Sequence, residues 1–396
     1  MNLTFDRELE VRRQEVTTIE VPGDFKFLGN EIAVKSVRVT SDRKIFVYAA
    51  NARTYSGDMF LAYPTNKIGQ NYIVAAIESD VNVHENVPVV AVAAVNYDTL
   101  VTFHFKSSVT IAFTNGETFS GNVYRIELNQ YEVVHIKHFE LSGIMVTANK
   151  DIVVVSGNTF FRDASYYGRT TGDHVAEQLV PLKYMSKKYI VVPSSTNDTE
   201  SGEIVRIYST ESETNVIREY DGSTTPYTLH NAGDSIDFFL NLSSASIFTA
   251  DKDISVVQFG MSSTQFGDPY MLLTTPLAAF MSSYEFSTPS NYNYGSILHR
   301  LVLIANNIAI ESTFLDTAQL TTEWTPVGEY FFINVPISEG AHMVHTSVEG
   351  GALWGFIYGR RKLLGYASSI GRFLCETGNC PVKYLIAFNF REEKMN

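Results

Sequence analysis

The densest group of side chains able to do chemistry is Asp173-His174-Val175-Ala176-Glu177-Gln178-Leu179-Val180-Pro181. On a helix, Asp173, His174 and Glu177 would share one face at spacings of three and four, giving a metal-ligand pair or an acid–base pair. The double-histidine spacing of zinc hydrolases is missing, so no metal and no cofactor are expected. In extended chain the same residues serve the backbone: Asp173 caps a turn, and Glu177 and Gln178 satisfy neighbouring strands. This structural role is the expected one, because the corresponding points of the sequence, Asp58 and Asp268, keep only the aspartate. The enzymatic alternative is a glycosidase-like hydrolase. It requires Asp173, Glu177 and Asp268 to meet in one cleft with carboxyl groups about 5–10 Å apart.

Other reactive residue types read as structural. His342 and His345, three apart, point to opposite faces if the segment is a strand. No nucleophile elbow, phosphate loop or dinucleotide fingerprint is present, and Ser142-Gly143 and Gly350-Gly351 are turn signals. Cys375 and Cys380 flank Gly378-Asn379 and precede Pro381, with no histidine after His345. They form a disulfide in an oxidising compartment or two thiols in a reducing one. Acceptor sequons for glycosylation stand at Asn2, Asn197 and Asn241.

The elements that would position these residues come from a repeated phrase. Val39-Thr40-Ser41-Asp42-Arg43-Lys44-Ile45-Phe46-Val47 returns as Val146-Thr147-Ala148-Asn149-Lys150-Asp151-Ile152-Val153-Val154, and again as Phe248-Thr249-Ala250-Asp251-Lys252-Asp253-Ile254-Ser255-Val256. Thr40, Thr147 and Thr249 lie 107 and then 102 residues apart, a period near one hundred. The phrase reads as a hairpin. Apolar residues alternate after its charged centre, and Asp42-Arg43, Asn149-Lys150 and Asp251-Lys252 form solvated tips. Each copy is followed by an aspartate-to-proline segment and then a tyrosine-led strand at Tyr72, Tyr189 and Tyr284.

Halving the period gives four-stranded units near 11–57, 58–120, 121–172, 173–226, 227–267, 268–327 and 328–371. Seven such units predict an all-β, seven-bladed propeller-like ring over residues 1–371, followed by a tail, 372–396, that holds the two cysteines. The alternative is an array of β-sandwiches. Composition agrees with an all-β chain: of 396 residues 45% are hydrophobic and 13% aromatic, with 26 Phe and 22 Tyr against 2 Trp.

A net charge of −13 argues against nucleic acid, and Arg360-Arg361-Lys362 reads as a solvated turn. The apolar run Val87 to Val95 is too short to span a bilayer and contains Pro88, so membrane insertion is not expected. Met1 to Arg7 lacks the apolar core of a signal peptide. From these residues alone the chain is expected to be cytosolic or part of a longer precursor.

Several separated motifs nevertheless resemble the IgGFc-binding protein N-terminal domain family. They are Ser36 to Asp42, Asp173-His174-x-x-Glu177-Gln178-Leu179-x-Pro181, Gly267-Asp268-Pro269-Tyr270-Met271, Gly340-x-His342, and Tyr358-Gly359 with Gly365-Tyr366. The resemblance runs over roughly residues 15 to 371. It implies a non-enzymatic, extracellular binding or adhesion module of mucus or matrix, with a protein or glycan partner. A purely structural matrix repeat is a further alternative. The cysteine that family members often carry before the Asp-His motif is missing from Phe160 to Gly172, and immunoglobulin binding is not carried over.

Overall fold

The computed structural model describes residues 5–53, 56–78, 86–162, 172–194, 202–240, 244–261, 268–289, 297–361, 364–371 and 382–387. Among them there are strands and five short 3-10 turns, with no α-helix. The all-β expectation holds. The strands form six hydrogen-bonded sheets, of eight, seven, four, two, five and two strands, and not seven sets of four. The period near one hundred is the true structural unit, and its two halves share a strand.

That shared strand is long and bent. In the second copy it is Met145–Arg162, unbroken through Asn149-Lys150-Asp151. Its first part pairs with Gly69–Ile73 and Thr99–Ala112, and its second part with Pro88–Ala94 and Gly172–Gln178. The register slips between Thr147 and Ile152. The third copy, Ser246–Gly260, repeats the plan, with Ser186–Val191 and Thr214–Tyr220 beside its first part and Glu203–Ser209 and Tyr270–Leu273 beside its second. A fourth copy is split into Ala341–Thr346 and Leu353–Arg361, and the first into Ser36–Ser41 and Tyr48–Arg53.

In the second and third copies the repeated phrase is therefore a corner, not a hairpin. A bulge and a tight turn both put short polar residues in water, but in the second and third copies apolar alternation continues on both sides and the strand carries on. The tips are exposed or half-buried, as expected, yet they also fasten the neighbouring strand. Asn149 Oδ1 accepts from the Leu100 amide at 2.8 Å, and Asp251 Oδ1 accepts from the Asn215 amide at 2.9 Å. Lys150 Nζ donates to the Tyr97 carbonyl at 2.6 Å, and Lys252 Nζ to the Ser212 carbonyl. Each Asx–Lys pair thus clamps a turn whose Asp98 or Glu213 is held at positive φ.

The slip at each corner leaves the isoleucine carbonyl without a ladder partner, and the tyrosine of the adjacent strand supplies one. Tyr72 Oη donates to the Ile152 carbonyl at 2.8 Å, Tyr189 Oη to Ile254 at 2.8 Å, and Tyr384 Oη to Ile45 at 2.6 Å. Tyr384 lies on Val382–Ala387, which pairs with Ser36–Ser41. The first copy is thereby completed by a strand from the far end of the sequence.

Beyond the corners, four inner strands, Ser56–Leu61, Gly172–Gln178, Tyr270–Leu273 and Leu364–Ser369, touch in cyclic order: first to second, second to third, third to fourth, fourth to first. The approach is close. A Cβ on Gly365 would lie 2.1 Å from the Asp268 carbonyl oxygen. Buried Arg206 ties two units together, pairing bidentately with Asp237 at 2.6 Å while donating to the Ala76 carbonyl at 2.8 Å and to Glu78.

Replacing Tyr189 by Phe leaves the buried Ile254 carbonyl unpaired. The expected loss is about 1–3 kcal/mol of unfolding free energy in urea titration. A change below about 0.3 kcal/mol would show that the hydroxyl is dispensable.

Candidate functional site

The inner strands bring the carboxyls of Asp58, Asp173 and Asp268 near one another in the protein interior. Gly172–Gln178 is a strand, so Asp173 and Glu177 share a face with Val175, while His174 and Gln178 lie on the other. The helical grouping of Asp173, His174 and Glu177 is not realised, because the segment pairs along its length with the second bent strand. All four polar residues are buried. Asp58, Asp173, Glu177 and Asp268 are 3%, 0%, 2% and 3% exposed.

Their partners are mostly backbone amides. Asp58 Oδ2 accepts from Ala176 N at 3.2 Å and Met271 N at 3.0 Å, and Oδ1 accepts from Met59 N at 2.8 Å. The Ala367 amide also acts on it. One carboxyl therefore collects amides from all four inner strands. Asp173 Oδ1 accepts from Gly57 N and His174 N, both at 2.7 Å, and from the Ser56 hydroxyl. Glu177 Oε1 accepts from Leu273 N at 3.4 Å, and Gln178 Oε1 from Tyr63 N at 3.1 Å.

Electrostatics follows from burial. Burial pushes the Asp58 carboxyl well above the usual carboxylate range, opposed by its amide donors. Asp173 is driven the same way, first by burial; the Ser56 hydroxyl opposes it, and the neighbouring Asp268 and Asp58 carboxyls add to it. Asp173 Oδ2 is buried without a hydrogen-bond partner among the described residues. His174, beside Asn51 Nδ2 at 3.0 Å, is pushed down to about 4 by burial and is held neutral.

The other expected residues are dispersed. Pro181 packs over Gly69 and opens the 3-10 turn Leu182–Tyr184. Pro269 is buried just ahead of the third inner strand. Gly340, at φ 122°, makes the turn into Ala341–Thr346. There His342 Nδ1 meets Asp316 Oδ2 at 2.9 Å, and alternation buries His342 while leaving His345 half-buried. Asn2, Asn197, Asn241, Gly267, Cys375 and Cys380 lie outside the described residues.

Sequence reasoning missed Glu203, which is fully buried. It accepts from Tyr270 Oη at 2.5 Å, Ser194 N at 3.1 Å and Gln258 Nε2. It also missed Arg206. Glu203 opens the strand Glu203–Ser209 and Arg206 interrupts its apolar residues, the one signal that the sequence offered.

A shallow groove lined by Asn30, Phe113, Lys137, His138 and Phe139 lies on the outer strands and includes none of the carboxyl residues. No cluster of three or more His, Cys, Asp or Glu among the described residues has metal-binding geometry. No helix among them is long and apolar enough to cross a membrane.

The sequence matches the family described as IgGFc binding protein over residues 58–359. The chain belongs to that family. It is also 27% identical over 372 residues to the human IgGFc-binding protein, an alignment covering 92% of this chain and 6% of the human one. The chain thus spans a small part of that relative's length. No solved structure matches. The family match includes two of the four inner strands whole, Gly172–Gln178 and Tyr270–Leu273, and begins at Asp58 itself.

Two pH dependences follow. The depressed His174 pKa means that its contribution is present above pH 6.5 and is lost as pH falls towards 4. The loss is about 3 kcal/mol at 1.36 kcal/mol per unit. Urea midpoints measured from about pH 7 to pH 4 should show it, and His174→Gln should flatten that limb. Asp173 is shifted in the opposite sense. Its protonated form favours the fold, so stability is greatest below the ordinary carboxylate pKa and declines as pH rises through the raised value. Asp173→Asn should reduce that decline, and an unchanged slope in the variant would count against a proton held at Asp173.

Proposed function

We propose that this chain is a non-enzymatic, extracellular binding module, of mucus or matrix type, that engages a protein or glycan partner through its surface loops. One observation carries the reading. The polar residues by which the chain resembles its family are occupied in fastening the inner strands: Asp173 holds Gly57 and Ser56, Glu177 holds Leu273, and Gln178 holds Tyr63. What the family shares is then a scaffold, and ligand specificity falls to loops carried on it.

A glycosidase-like role would need an acid and a base facing a substrate-sized opening. The carboxyls here are shielded from water and engaged by amides, an arrangement suited to holding strands in register. The net charge of −13 supports a partner other than nucleic acid. The human relative is named for binding the Fc part of IgG. That ligand belongs among the probes and not in the proposal itself.

Purified chain should be retained by at least one surface in a glycan array or an immunoglobulin pull-down, with a dissociation constant in the micromolar range or tighter, about −8 kcal/mol. Absence of retention on both would favour a purely structural matrix role.

A further inference from the structure

We propose that the groove on the outer strands of the second unit is a saccharide site, built for a sugar unit that carries one anionic group, a carboxylate or a sulfate. This site rests on the binding-module reading and gives that reading a ligand class. The groove, of about 470 Å³, has the size of a small-ligand cleft. A protein face would need about 800 Å² per partner, more than such a groove offers. Its walls come from separate stretches of chain: Gly29-Asn30, the end of Thr99–Ala112 with the turn after it, and Lys137-His138-Phe139.

Asn30 locks those walls together. Its Nδ2 donates to the Ala112 carbonyl at 3.1 Å, and its Oδ1 accepts from the Lys137 amide at 2.6 Å. Its own carbonyl accepts from the Thr114 amide at 2.8 Å, and the His138 amide donates to the Pro88 carbonyl at 3.2 Å. The cleft is formed before any ligand arrives, which lowers the ordering cost of binding.

A sugar ring has an apolar C–H face and a rim of hydroxyls, and the lining divides the same way. Phe113 and Phe139 supply aromatic surface, and Phe113 is braced by Tyr124 with ring centroids 5.5 Å apart. His138 supplies an aimed donor. Its Nδ1 accepts from the Glu140 amide at 3.1 Å, so the ring proton sits on Nε2. Burial lowers the pKa of His138, against the opposing Glu140 carboxyl, and favours the neutral ring that this tautomer requires.

Charge selects the anionic group. Lys137 is the only charged side chain in the lining, and no carboxylate stands with it there. On a chain of net charge −13, a cation beside an aromatic floor attracts an acidic ligand to this place and not to the surface at large.

Glycan-array binding followed by titration calorimetry on the full chain tests the site, with sialylated, sulfated and neutral forms of one saccharide. At least one acidic form should bind at least about ten-fold more tightly than the neutral form. Lys137→Glu and Lys137→Ala should each weaken it at least about ten-fold, with thermal unfolding unchanged. Lys187→Glu, which changes net charge as Lys137→Glu does from an exposed position on Ser186–Val191, should leave binding unaltered. His138→Phe should weaken binding through loss of the Nε2 donor. Equal affinity for acidic and neutral forms overturns the proposal, as does an equal effect of the Lys137→Glu and Lys187→Glu changes. Retention of immunoglobulin with no saccharide bound overturns the site and leaves the binding module standing; retention of neither removes both.

Discussion

A strand that turns a corner inside an apolar core leaves backbone groups without ladder partners, and each such group costs about 1–3 kcal/mol if nothing replaces them. This fold turns that corner within one strand in the second and third units and splits the strand there in the first and fourth. At three of the corners a tyrosine hydroxyl reaches the isoleucine carbonyl, and at two of these an Asx–Lys pair holds the amide and carbonyl of the adjoining turn. At the centre, Asp58 gathers amides that four neighbouring strands would otherwise bury unpaired. The sequence repeats because the backbone problem repeats.

This accounts for what could be read from the sequence and what could not. The period near one hundred, the recurring tyrosine and the β character follow from residue type and spacing, which local physics controls. The hairpin reading failed because Asn-Lys and Asp-Lys are equally at home in a tight turn and at a bulge, and only pairing partners distinguish the two. The boundary between half-periods is not marked in the sequence for a related reason: a strand such as Met145–Arg162 pairs with strands of both halves, and no residue marks its division. Glu203 and Arg206 were invisible because their partners, Tyr270 and Asp237, lie 67 and 31 residues away.

The central carboxyls illustrate how structural and catalytic sites can share a composition. Several acidic groups in one water-poor space, with raised proton affinities, are common at active sites. Here the donors that meet them are main-chain amides from separate strands, so protonation is coupled to the integrity of the ring. The same interactions that make Asp173 and Asp58 poor candidates for turnover make them sensitive reporters of whether the inner strands are in place.

The pairing of Val382–Ala387 with Ser36–Ser41 imposes an order on assembly. The contact between Tyr384 and Ile45 spans 339 residues of sequence. Tyr384 must therefore leave the ribosome, 339 residues after Ile45, before Ser36–Ser41 finds its neighbour. Until then the nascent polypeptide presents an unzipped border, and its safe passage depends on the later units consolidating without the earliest one.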